Sequence, residues 1–205
     1  MTLPSIQREE SSAKPPPSRI ALIFDRMYHD NADRMYRFAQ RLCREEEDAR
    51  DLVQETFLNA YRGLPQFRGD AQFSTWLYRI AARVCLAMRR RRKGEPEYEL
   101  SLEEFIPTSD GELRLQIQAD GLTPEEALAN KQLRRALRQA IQGLPAKYRL
   151  VLVLRDMEGL SAKEVGTVMG LNERAVKSRL HRARLFVRRE LAARGVDSAS
   201  HAAER

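Results

Sequence analysis

Arg174, Lys177, His181, Arg184 and Arg188 recur at steps of 3, 4, 3 and 4, and no acid interrupts the chain between Arg174 and Arg189. At roughly 100° per residue these steps put the five side chains on one stripe of a helix. Guanidinium and ammonium groups arrayed this way neutralise phosphates, and those that reach a groove read base edges. Ser178, Arg182 and Arg189 lie just beyond the stripe. A solvated face normally mixes acids with bases for solubility. An acid-free face points instead to a polyanion.

The elements that must position this stripe are written around it. With Val176 as origin, Leu180, Ala183 and Val187 fall on the opposite, core-facing side of the same helix. Upstream, "GLSAKEVGTVMGLNERAVKSRLHRARLFVRREL" reads as a helix-turn-helix. Ser161 is placed to cap a short helix, with Glu164 completing a capping box. Val165, Val168 and Met169 give that helix an apolar face, Gly170 supplies the tight turn, Leu171 plugs the inter-helix core, and Asn172 caps the basic helix.

A second basic block, "FRGDAQFSTWLYRIAARVCLAMRRRRK", interleaves aromatic residues with arginines. Ser74 is the expected cap of its helix, and Leu77, Ile80, Ala81 and Val84 repeat at helical spacing. Before it, "DLVQETF" opposes a polar stripe of Asp51, Gln54, Glu55 and Asn59 to the apolar Leu52, Val53 and Phe57. Glutamine and carboxylates in that arrangement suit a basic partner surface or a solvated face.

The whole chain has 205 residues, enough for two small cores, with 42% hydrophobic and 32% charged residues and a net charge of +7. The charge is segregated: residues 1–93 carry +6, residues 94–128 carry −9 and residues 129–205 carry +10. Two basic modules joined by an acidic connector fit a polyanionic partner. Cys43 and Cys85, without a CxxC spacing, read as buried free thiols, neither a disulfide framework nor a metal site. No apolar run approaches the roughly 20 residues of a membrane span, and no signal-peptide core opens the sequence. The expected place is the cytoplasm.

Along the chain, residues 1–18, with "KPPPS", read as a disordered tail. Helical periodicity starts at Ile20, and Asn31 or Asp33 is the expected cap of a second segment. A third helix from about Asp48 stops at Gly63 and Pro65, giving about four helices through residue 93. Residues 94–123 read as a flexible linker. From Thr123, a cap, and Pro124, a first helical residue, the pattern resumes through residue 195, and residues 196–205 form a tail. "LVLVL" at 150–154 has strand-like composition but no partner strand, so helix is expected. The fold class is all-α, in two small helical domains.

At this level of detail a family resemblance is specific. "SAKEVGTVMGLNERAVKSRLHRAR" resembles region 4.2 of bacterial RNA polymerase sigma factors, and "EEEDARDLVQETFLNAYRGLPQFRGDAQFSTWLYRIAARVCLAMRRRRK" resembles their region 2. Both blocks stand in the family's order, and the linker is too short for the domain that larger sigma factors carry between them. The resemblance is therefore to the extracytoplasmic-function (ECF) group and covers about residues 20–193. It implies that Asp51, Gln54, Glu55 and Asn59 dock on the clamp helices of the polymerase largest subunit. It implies that Arg68, Gly69, Asp70 and Phe73 form a loop capturing unstacked bases of the -10 element, with Arg79, Arg83 and the "RRRRK" run at 89–93 on phosphates. Trp76 suits either base contact or packing beside Ile80. Lys177, Ser178, His181 and Arg182 match positions that reach the -35 element, with Arg174 and Arg184 on phosphates. The segment 125–158 is implied to pack on the polymerase flap, the acidic linker to thread a basic channel, and an anti-sigma factor to regulate the chain. Many members have Asn in place of Arg83 and Asp in place of Ala87, so the resemblance implies strand capture but does not give the preferred -10 sequence.

Three other readings compete. A dimeric helix-turn-helix regulator leaves the aromatic-basic block at 67–93 and the "DLVQETF" helix without a role. A nucleic-acid enzyme needs clustered carboxylates, a phosphate-cradling loop or a nucleophile–base pair. None is present in the sequence; His29, His181 and His201 are isolated, and no cofactor is expected. An RNA-binding protein is the third, since basic helices do not distinguish RNA from DNA.

Overall fold

The computed structural model describes residues 19–67, 72–91, 100 and 124–195. The tails at 1–18 and 196–205 and nearly all of the linker lie outside them. Among the described residues the secondary structure is helical, without a strand.

The first helix, α1 (Arg19–Leu42), runs unbroken for 24 residues. The expected division at Asn31 or Asp33 does not occur. The Asn31 side chain donates to the carbonyl of Met27 within the helix, at 2.8 Å, and no glycine or proline interrupts the ladder. Among its described residues the first module thus has three α-helices instead of about four. Acids at Glu46, Glu47 and Asp48 open α2 (Glu46–Gly63), where they face the positive end of the helix dipole. As expected, Gly63 and Pro65 end it, through a 3₁₀ turn at Leu64–Gln66. The third helix, α3 (Phe73–Arg91), begins one residue before the expected cap. Ser74 lies inside it, and the Trp76 amide already donates to the carbonyl of Gln72 at 3.2 Å.

In the second module, Pro124 opens α4 (Pro124–Gly143), and α5 (Ala146–Leu152) follows the second "GLP". It runs on into a π turn at Val153–Met157. Residues Tyr148 through Leu154 are all buried. A segment that is apolar on every side can lie as a helix only in a core, which accounts for the strand-like composition of "LVLVL". The helix-turn-helix completes the module with α6 (Ala162–Met169) and α7 (Glu173–Ala192).

The two modules pack against one another: α6 and α5 lie on α3, while α4 and α5 meet α1. One apolar core runs through both, from Met35, Phe38 and Leu42 to Leu180, Phe186 and Leu191. Cys43 and Cys85 are buried free thiols, as expected. Burial pushes the Cys43 thiol up to about 12 and also raises Cys85, so neither supplies thiolate near neutral pH. Among the described residues, no helix is long and apolar enough to cross a membrane.

Candidate nucleic-acid interface

The turn of the helix-turn-helix is held by local chemistry that the sequence spells out. Ser161 Oγ accepts from the Glu164 amide at 3.2 Å, and the Glu164 carboxylate accepts from the Ser161 amide at 2.7 Å. The bonds to Ser161, side chain first, hold the Glu164 carboxyl below its usual range. Gly170 adopts φ 68°, the left-handed conformation that closes α6. Asn172 Oδ1 then accepts from the Ala175 amide at 2.8 Å and starts α7.

One residue here was not singled out by its sequence. Gly166 sits inside α6, where a Cβ would stand 2.6 Å from the carbonyl oxygen of Leu171. The two helices of the motif approach as closely as they do because that atom is absent. The available signal was a glycine in the interior of a short helix, a choice that costs about 1 kcal/mol against alanine and so calls for a packing reason.

On α7, Val176, Leu180, Ala183, Phe186, Val187 and Leu191 are buried, which fixes the rotation of the helix. Arg174, Lys177, Ser178, His181 and Arg184 are then exposed together, with Arg182 half-buried at the edge. Arg184 differs from the others in having an acidic partner within its own module. Its guanidinium forms a two-pronged pair with Asp156, at 2.8 and 2.9 Å. Asp156 follows from no helical spacing, because the pair spans 28 residues. Arg189 leans over the Phe186 ring at 5.5 Å.

The first module presents a second basic face. Leu77, Tyr78, Ala81, Ala82, Val84 and Cys85 turn one side of α3 inward, which leaves Arg79 and Arg83 exposed on the other. Arg89 turns away from that face and donates to the carbonyl of Leu42 at 2.6 Å. Phe67, Phe73 and Trp76 form an aromatic trio with centroids 5.0 to 5.7 Å apart. Trp76 also rests on Gly63, where a Cβ would lie 3.2 Å from its ring. The indole is half-buried and packs on these aromatics at the foot of the loop. Arg68, Gly69 and Asp70 lie outside the described residues.

On α2, Asp51, Gln54 and Glu55 are exposed in a row and Asn59 is half-buried, donating to Glu55 at 2.9 Å. The opposite side is sealed by Leu52, Thr56 and Phe57. Three surfaces thus stand on one scaffold: a basic recognition helix, a basic face beside an aromatic cluster, and an acidic-amide row. Among the described residues, no group of His, Cys, Asp and Glu could hold a metal ion.

Comparison with known proteins finds a family match in each module. A sequence model of Sigma-70 region 2 matches residues 27–95, and one of Sigma-70, region 4 matches residues 134–187. The chain is 38% identical over 159 residues to the ECF RNA polymerase sigma factor SigW of Bacillus subtilis, covering 78% of this chain and 83% of SigW. It is 39% identical over 147 residues to the RNA polymerase sigma-H factor of Pseudomonas aeruginosa, covering 70% and 73%. In fold it is similar to the sigma factor RpoE solved with the anti-sigma factor NepR from Bartonella quintana, with TM-score 0.59 and 20% identity, covering 83% of this chain and 97% of that one. It is likewise similar to CnrH solved with the cytosolic domain of CnrY, with TM-score 0.57 and 23% identity, covering 84% and 89%. With both regions matched in order and the recognition helix, its caps and the α3 face in place, the chain belongs to the ECF family of RNA polymerase sigma factors.

Proposed function

We propose that this sigma factor binds core RNA polymerase through Asp51, Gln54, Glu55 and Asn59, reads the -35 element with α7 and captures the -10 element with α3 and the loop before it. The observation that carries this reading is the exposure of two basic faces, on α3 and on α7, beside one acidic-amide row on α2. Lys177, Ser178, His181 and Arg182 take base edges, while Arg174 positions α7 on phosphates. Arg79 and Arg83 hold the -10 backbone, and Phe73 offers an aromatic face to an unstacked base. Stacking is worth about 1–3 kcal/mol per base, against an unstacking cost of a few. Strand opening on this scheme draws on binding energy alone. The working modules are residues 19–93 and 124–195, the acidic segment 94–123 links them, and the site of action is the cytoplasm. Regulation by an anti-sigma factor is part of the proposal, that being the kind of partner RpoE of Bartonella quintana is solved with.

The test is a pull-down with purified bacterial core polymerase, comparing wild type with Asp51→Ala/Gln54→Ala. Wild type is expected to be retained and the double variant lost at equal concentration, with helical content unchanged. Tight binding of the wild type to DNA by itself, with indifference to core polymerase, would make the protein an ordinary DNA-binding regulator.

A further inference from the structure

The second module leaves one carboxylate unanswered. Between Leu128 and Gly195 its acids are Asp156, Glu158, Glu164, Glu173 and Glu190. Asp156 is held by Arg184 at 2.8 and 2.9 Å, and Glu158 by Arg34 and Arg41 of the first module. Glu164 closes the capping box on Ser161 at 2.7 Å, and Glu190 pairs with Arg194 at 2.7 Å. Glu173 has no such partner among the described residues, and its side chain is exposed. Lys177, four residues on in the order that favours a helical ion pair, is likewise exposed. Arg149 is not available to it: that guanidinium is buried and donates to the carbonyls of Leu42, Gln142 and Leu144 at 2.5 to 2.7 Å.

Glu173 is the first residue of α7, directly after the Asn172 cap. In a helix-turn-helix the N-terminal residues of the second helix meet base edges in the major groove. At roughly 100° per residue, Glu173 and Ser178 border a sector about 140° wide that also holds Arg174, Lys177 and His181. All five are exposed, and the buried Val176, Leu180 and Ala183 face the other way.

A carboxylate in that sector is repelled by each phosphate it approaches, so it weakens binding unless a base meets it with a donor. In the major groove cytosine shows the N4 amino group, a donor, and no acceptor. Guanine shows the acceptors N7 and O6, thymine shows O4 and a methyl group, and adenine sets its N7 acceptor beside the N6 donor. Cytosine alone gives a carboxylate a donor without a repelling acceptor on the same base.

We infer that Glu173 is a specificity-determining residue of the -35 contact: its carboxylate accepts from the N4 amino group of one cytosine and disfavours the other bases there. The inference rests on the sigma-factor reading above and adds to it the identity of one base. The positive end of the α7 dipole also favours an acid at this place. That role would act on the stability of the helix and be blind to DNA sequence.

The test assembles the full-length chain with purified core polymerase and sequences the duplexes retained from a pool randomised across the -35 region. Thermal unfolding of each variant is followed alongside. Wild type is expected to prefer cytosine at one position by about tenfold or more over the other bases. Glu173→Ala is expected to lose that preference, to keep the rest of the pattern, and to bind fragments lacking the cytosine more tightly than wild type does. Glu173→Gln is expected to move the preference toward adenine, whose N6 and N7 match an amide. Base preferences left unmoved by both substitutions, or an equal loss of affinity on every fragment with a lower unfolding temperature, would overturn the role of Glu173 and leave the sigma-factor reading intact. Failure of the wild type to bind core polymerase or to select any sequence would overturn both.

Discussion

Arg184 shows how a single residue can belong to the recognition stripe by sequence and yet be held by a neighbour in space. Its spacing places it with Arg174, Lys177 and His181, but its guanidinium is engaged by both carboxylate oxygens of Asp156. A fork held this way is oriented, and part of its charge is already answered. Asp156→Asn removes the competing carboxylate and frees the fork for a phosphate. Duplex affinity of the protein should then rise several-fold, and the dependence of log K on log salt should steepen by up to about one unit. An unchanged slope in a salt titration would show that Arg184 is a strut between α7 and the π turn, away from the backbone. The three carbonyls around Arg149 make the contrasting case. Desolvation, the first cause, lowers that guanidinium to about 10, and its burial makes it part of the fold and unavailable to nucleic acid.

At the scale of elements, the helix-turn-helix depends on an atom that is not there. Gly166→Ala puts a Cβ against the Leu171 backbone, which cannot move without disturbing the cap of α7. Overpacking of this kind costs about 1–3 kcal/mol, so thermal unfolding should come several degrees lower and -35 binding should weaken with it. An alanine variant as stable as wild type would mean that the α6–α7 approach is looser than described. The same motif explains what could be read in advance. Ser161 with Glu164, Gly170 and Asn172 act over three or four residues, so their spacing alone specifies the structure. Asn31 and Ser74 are the same residue types, and there the reading failed. A polar side chain caps a helix only where the chain has reason to stop, and otherwise bonds back to the preceding turn, as Asn31 does to Met27. The apolar and basic faces of α7 and α3 were legible because periodicity fixes them. Asp156 with Arg184, and Glu158 with Arg41, were not, being 28 and 117 residues apart.

For the whole molecule, the charge division of the sequence takes on a spatial meaning. Two basic modules and an acidic connector would repel and attract in any arrangement. The structure places one acid of the second module, Glu158, among arginines of the first. The basic faces of α3 and α7 remain outward in the packed form. On the proposed function, either module alone should hold its own DNA element weakly.

The most direct measurement of the central claim is reconstituted transcription: core polymerase plus the purified protein on a library of bacterial promoter fragments, with strand opening mapped by single-strand-specific base reactivity. The account predicts initiation at a defined set of promoters and opening confined to the -10 region. It predicts that Arg79→Ala/Arg83→Ala abolishes opening, while Lys177→Ala/His181→Ala weakens promoter choice at the -35 position. Transcription from every fragment alike, or opening that survives loss of both arginines on α3, would contradict it.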